Sequence, residues 1–263
     1  MQRVILALSR LASGGLLACL FTVAQAATPP TVDELVAHNV EARGGAAKLK
    51  SIALLHRSGR LVVPGANIEL AAVEWQSRGG EFRQEITLQG LTAIQSYDGH
   101  DAWQVQPFEG RKDPSLMSAD EAKAFALQAD LEGPFVDYRA KGHKVEYLGL
   151  EDVDGTPAHK LRVRLKWGDE ATYWIDPDTW MVIRVLERQT VRGAEQMVET
   201  DLGEYQQVAG VWVPMSEEQG PKDSDSTQRQ KLVFDHADAN GTVSARYFAF
   251  PETQPKAAAG AHP

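Results

Sequence analysis

The chain has 263 residues, 36 of them acidic and 27 basic, for a net charge of −9. That balance repels nucleic acid and anionic membranes alike, which sets aside both classes of partner. A single cysteine, Cys19, excludes a disulfide framework, so stability has to come from core packing.

The first 26 residues read as a secretory signal peptide. Arg3 and Arg10 give a positive start, Leu11 to Val23 is apolar, and Ala24-Gln25-Ala26 offers a small-x-small cleavage site before Ala27. An apolar run of about 13 residues is too short to span a bilayer, which needs about 20. "LLAC" loosely resembles a lipobox that would lipidate Cys19, but the apolar "LFTVAQA" after it favours simple cleavage. Cleavage leaves 25 basic against 36 acidic residues, a net charge of −11, and no cysteine for thiol catalysis. The expected location is the periplasm.

A helix follows in "TVDELVAHNVEARGG", where Thr31 and Glu34 form a capping box and Val32, Leu35, Val36 and Val40 recur at helical spacing. "AAKLKSI" adds a short turn. A second helix opens at Ser118, with Glu121 completing a capping box, and stops at Gly133-Pro134. Almost everything else reads as strand, with reversals at Gly59, Pro64-Gly65, Gly79-Gly80, Gly90, Asp98-Gly99, Asp154-Gly155, Arg192-Gly193 and Ala209-Gly210. Turn signals about ten residues apart mark an antiparallel meander.

The clearest strand is "HKLRVRLKW": Leu161, Val163, Leu165 and Trp167 alternate with Lys160, Arg162, Arg164 and Lys166. The basic stripe reads as a solvated face, balanced by Glu170, Glu187, Glu195 and Glu199 on neighbouring strands. Gly168-Asp169 as a two-residue turn places Arg164 opposite Tyr173. "YWIDPDTWMVIRV" is the next hairpin, turning at Pro177 between Asp176 and Asp178. All six tryptophans fall on expected strands. The architecture is mainly β (α+β): one domain over 27–250, an open antiparallel half-barrel of about eleven strands with helices over its concave side, then a disordered tail over 251–263.

No local motif carries chemistry. Seven histidines lack ligand spacing, Asp235, His236 and Asp238 read as a hydrated turn, and no nucleophile elbow, P-loop or dinucleotide fingerprint occurs. Glu217 and Glu218 are adjacent on a strand and point to opposite faces. A curled sheet with partial helical cover leaves a concave apolar cavity, which is a ligand site by default. Its expected lining is Ala122, Phe125 and Ala129 of the second helix, facing Phe82, Ile86 and Leu88 of one strand and Trp103 and Val105 of the next.

"ARGGAAKLKSI" followed by "SGRL", then "SYDGHDAWQVQPFEG", the hairpin "YWIDPDTWMVIRV" and "GEYQQVAGVWVP" resemble the periplasmic lipoprotein-sorting carriers of the LolA/LolB type. The resemblance runs through most of the chain after the signal peptide. It implies an open, unclosed barrel with a helical lid that holds acyl chains and passes them between membranes. "RLVVPGANIELAA" lacks the carriers' basic-proline segment, so the chain reads as a paralogue, and no catalytic or transfer residue is carried over. The expectation is a monomeric, non-enzymatic binder of an acyl chain, lipid or lipoprotein, with no cofactor, no metal and no nucleic acid. The alternative is an envelope sensor or scaffold module binding another protein, with a hydrolase less favoured.

Overall fold

The computed structural model describes residues 29–191 and 193–251. The expected signal peptide with Cys19 and Ala26, and the expected tail from Glu252, lie outside them. The chain divides after Pro30, and the sheet and its helices all belong to the unit beginning at Thr31. Among the described residues no helix is long and apolar enough to cross a membrane.

Two helices come first, α1 (Val32–Ala42) and α2 (Ala46–Ser51). The capping box at Thr31 is formed in both directions: Glu34 N–H donates to the Thr31 hydroxyl, and the Glu34 carboxylate accepts from Thr31 N–H at 2.8 Å. A meander of six strands follows: β1 (Leu54–Val63), β2 (Ile68–Ser77), β3 (Phe82–Leu88), β4 (Leu91–Tyr97), β5 (Ala102–Gln106) and β6 (Arg111–Leu116). Then comes α3 (Ala119–Gln128), capped by Ser118 and Glu121 in the same reciprocal way. The second half runs β7 (Lys144–Val153), β8 (Thr156–Arg164), β9 (Glu170–Ile175), β10 (Val182–Val191) and β11 (Ala194–Gly203). It ends with the short pair β12 (Gln206–Val208) and β13 (Val211–Val213), then β14 (Ser216–Pro221) and β15 (Gln230–Ala239).

Thirteen of these strands form one antiparallel sheet in the order β6-β5-β4-β3-β2-β1-β15-β14-β11-β10-β9-β8-β7. Its ends do not pair, so the half-barrel stays open. The sheet is wider than the eleven strands expected, and β12-β13 stands apart from it. β15 closes the centre by pairing β1, which joins the two meanders. Gly59 is no turn: it lies within β1 at a bulge, where an added Cβ would stand 2.0 Å from the Val233 carbonyl oxygen. Only glycine lets β15 come that close.

Period-two alternation holds in β8. Leu161 and Val163 are fully buried with Phe135, Tyr173 and Ile175 under Leu35 and Val36 of α1, whereas Arg162 and Arg164 stay outside. The stripe is neutralised by Glu151, Glu146 and Glu170, which bond Lys160, Arg162 and Arg164 at 2.6, 3.3 and 2.6 Å. The β8–β9 turn is longer than a two-residue loop. Leu165 N–H donates to the Asp169 carbonyl across Lys166, Trp167 and Gly168, so Arg164 faces Glu170, and Tyr173 faces Leu161. Trp167 and Trp180 therefore sit in turns, Trp180 at φ +60°. Its carbonyl accepts from the buried Asn39 amide at 2.7 Å, tying α1 to the β9–β10 hairpin.

These faces give a direct test. Val163→Asp places a charge in a dry interior and is expected to cost several kcal/mol in a denaturant melt, while Arg162→Asp changes stability by about 0–1 kcal/mol. Equal losses would reverse the face assignment.

Candidate functional site

The three helices lie on the concave side of the sheet. Leu49 and Ile52, at and just after α2, pack on Leu55 of β1 and Phe234 of β15. Phe125 and Ala129, in and just after α3, pack on Phe82 and Ala102. α3 touches β4 and β5 in the first meander and β10 in the second, so it bridges the open sheet from side to side. Between that bridge and the sheet is a hollow of about 1060 Å³, at the upper end of the usual range for ligand pockets.

Register dictates how the hollow is lined. Because residues opposite each other on antiparallel strands share a face, each set of facing residues forms a band across the sheet. One band runs Gln104–Gln95–Gln84–Glu74–Arg57 from β5 to β1, each residue directly facing the next. Apolar residues flank it. Phe82 and Leu55 lie on one side; Ile86 and Ala93, then Leu61 and Leu70, lie on the other. Gln219, Gln230 and Thr200 add polar groups from β14, β15 and β11. The expected uniformly apolar cavity is corrected: the hollow is greasy with a polar belt.

The belt ends in a buried charge cluster. Arg57 donates through Nη1 to Glu217 at 2.6 Å and to the Pro214 carbonyl at 2.9 Å, and through Nη2 to Glu74. Its guanidinium carbon lies 4.1 Å from the centre of the Phe234 ring. Burial alone would weaken the charge on Arg57, but the two carboxylates reverse that and hold it firmly protonated. Glu74 is pushed above the usual carboxylate range by burial, with Arg57 pulling against the rise. Glu217 and Glu218 do point opposite ways, the first to Arg57 and the second to Arg229 on the convex face at 3.3 Å.

One further carboxyl enters the hollow from β10. Glu187 faces Ala171 on β9 and Val198 on β11, both buried apolar neighbours. It accepts from the Gln189 amide. Burial pushes it up to about 7, with the Gln189 bond as a smaller opposing effect. Among the described residues no cation pairs with it, whereas Glu170, Glu195 and Glu199 all meet arginines.

Of the expected lining residues, Phe82, Ile86 and Phe125 border the hollow. Leu88 has the same parity at the far end of β3 but falls outside the lining. Ala122 packs against the Phe82–Phe125 cluster beneath it, and Ala129 borders a smaller cavity of about 240 Å³ beside Lys141 and Trp167. Trp103 and Val105 are corrected, because Gln104 and Gln106 are the residues of β5 that face inward. Trp103 is instead covered on the convex face by the chain's last described stretch. Its Nε1 donates to the Phe248 carbonyl at 2.7 Å, the Ser96 hydroxyl donates to the same oxygen, and Arg83 donates to the Tyr247 carbonyl. A large aromatic flanked by glutamines is a poor guide to direction here, since both faces of this strand are covered. Arg57, Glu74, Glu187 and the glutamines were missed, although Glu187 shares the parity of Val185.

No family model and no curated protein matches this sequence. Solved structures do. A putative outer membrane lipoprotein-sorting protein domain from Vibrio parahaemolyticus is 12% identical, with a TM-score of 0.51 over 82% of this chain and 95% of that one. A DUF1329 family protein from Desulfovibrio piger is 11% identical, TM-score 0.53, over 81% and 97%. A LolA superfamily protein from Nitrosomonas europaea is 10% identical, TM-score 0.53, over 84% and 98%. At such identities the likeness speaks for architecture, and the architecture of this chain is the open half-barrel of the LolA type.

Proposed function

We propose that this protein is a periplasmic binder or carrier that holds the acyl chain of a lipid or lipoprotein between its sheet and α3. The observation that carries this reading is the open hollow of about 1060 Å³ beneath a helix that bridges the sheet. A sensor or scaffold module has no use for that unfilled volume. The apolar bands beside the belt suit a chain, each buried CH₂ contributing about 0.8 kcal/mol, and the belt suits the polar group at its end. The lipoprotein-sorting name of the similar Vibrio parahaemolyticus structure supports this reading.

Phe125 is the residue to test. It is buried under α3, with its ring 5.8 Å from that of Phe82, and one side of it borders open space. Phe125→Ala is expected to keep the fold, enlarge the hollow and tighten the binding of an uncharged fluorescent apolar probe several-fold. If the variant instead loses about 3–5 kcal/mol with unchanged probe binding, the ring is a plug and the carrier reading loses its support. Native mass spectrometry of protein taken from the cell envelope would then identify what travels in the hollow.

A further inference from the structure

Among the described residues, most of the charges facing the hollow are already held by a partner. Arg57 is held by Glu74 and Glu217, and Arg111 by Glu109. Arg43 donates to the Glu132 carbonyl at 2.8 Å, with the Asp130 and Glu132 carboxylates near enough to act on its charge. Asp130 in turn bonds Lys141, and Glu121 caps its own helix. Of these carboxylates Glu187 alone has neither a cation nor a helix cap, and it is walled by Ala171, Val198, Val185 and Tyr173. A half-buried carboxylate left unpaired among apolar neighbours is costly, and a fold tolerates it where a ligand completes it.

We propose that the hollow selects amphiphiles with a cationic head, an alkyl ammonium whose charge pairs with Glu187 while its chain lies along the apolar bands. This rests on the carrier reading and adds the class of ligand. The head finds a preformed acceptor, and the amide oxygen of Gln189, whose NH2 already bonds Glu187, can take one of its remaining N–H donors. Among the described residues no arginine pairs with Glu187, so an anionic head placed there meets the carboxylate's own field. Glu187 faces Ala171 on β9 and Val198 on β11, and Tyr173 and Thr200 face Val185 two residues before it. The acidic groups of the overlying helix that border the hollow are Glu121 and, just past its end, Asp130. None of these supplies a positive charge.

The experiment is displacement of an uncharged fluorescent probe from the full chain by dodecylammonium, dodecanol and dodecanoate, each as monomers, at pH 8. Dodecylammonium should displace at about tenfold lower concentration than dodecanol, the value of one charge-assisted hydrogen bond, and dodecanoate should need more than either. Glu187→Gln should bring the ammonium to the level of the alcohol and leave the alcohol unchanged, while Glu195→Gln, a charge change outside the hollow, keeps the preference. Lowering the pH to 5.5 should shrink the preference as Glu187 takes up a proton, the ammonium staying charged throughout. Dodecanoate binding as well as the ammonium, or a preference that survives Glu187→Gln, overturns the head-group assignment and leaves the carrier reading intact. If none of the three displaces the probe, both fall.

Discussion

Arg57→Leu is expected to lower stability by about 3–5 kcal/mol at pH 7.5, measured by urea denaturation. The side chain is almost fully buried and is the shared partner of Glu74 on β2 and Glu217 on β14. Removing it leaves two carboxylates facing each other in a low-dielectric floor, and the loss of one member of a buried ion pair carries a cost of that size. The pair itself need not be stabilising. Arg57→Leu combined with Glu74→Gln and Glu217→Gln removes the uncompensated charge and should recover most of the loss. The single variant should also be less impaired at pH 4.5 than at pH 7.5, because the orphaned carboxyls can then protonate. A loss below about 1 kcal/mol, unchanged by pH, would mean that water reaches the cluster and screens it.

The position of Arg57 explains why the sequence concealed the site. Period-two alternation made the faces of β8 legible, and capping boxes announced α1 and α3, because those signals act within a few residues. The hollow depends on registers spanning the whole chain. Arg57 meets Glu217 across 160 positions, and nothing local in "HRSGR" marks its arginine as buried. Turn length also governs register. A loop over Lys166, Trp167 and Gly168, in place of the expected pair Gly168-Asp169, moved Arg164 from Tyr173 to Glu170. The opposite failure occurred at Trp103. Its hydrophobicity predicts an inward face, yet β5 is covered on its convex side by Phe248, a contact 145 residues away. Fold class survives such errors because it rests on the count and spacing of strands. A binding site does not, since one shift of parity exchanges its lining for the other face. Gln104, Gln95 and Gln84 look like surface residues singly, and only their alignment across three strands makes them a belt.

Glu187→Gln is expected to stabilise the protein, and only above mildly acidic pH. Burial raises this carboxyl from 4.5 to about 7. Between those values the folded state holds a proton that the unfolded state has released, so stability falls as pH rises across that window and stays lowered above it. The full effect of such a shift is about 3 kcal/mol, and the part of the side chain that meets the hollow reduces it to about 2–3 kcal/mol. Gln keeps the shape and the acceptor for the Gln189 amide but never ionises. At pH 8 the variant should therefore melt about 5–10 °C higher than the parent, taking about 2–4 °C per kcal/mol for a domain of this size. At pH 4, where the carboxyl is protonated in both states, the two should melt within about a degree of each other. An alkyl ammonium should narrow the gap at pH 8 from the other side, by raising the parent more than the variant, which binds it more weakly. A difference that persists at pH 4, or none at pH 8, would mean that Glu187 is solvated or already paired, and the cation site would lose its basis. A protein that keeps an ionisable group at a stability cost inside its own cavity, where Gln would serve the fold better, keeps it for something the cavity receives.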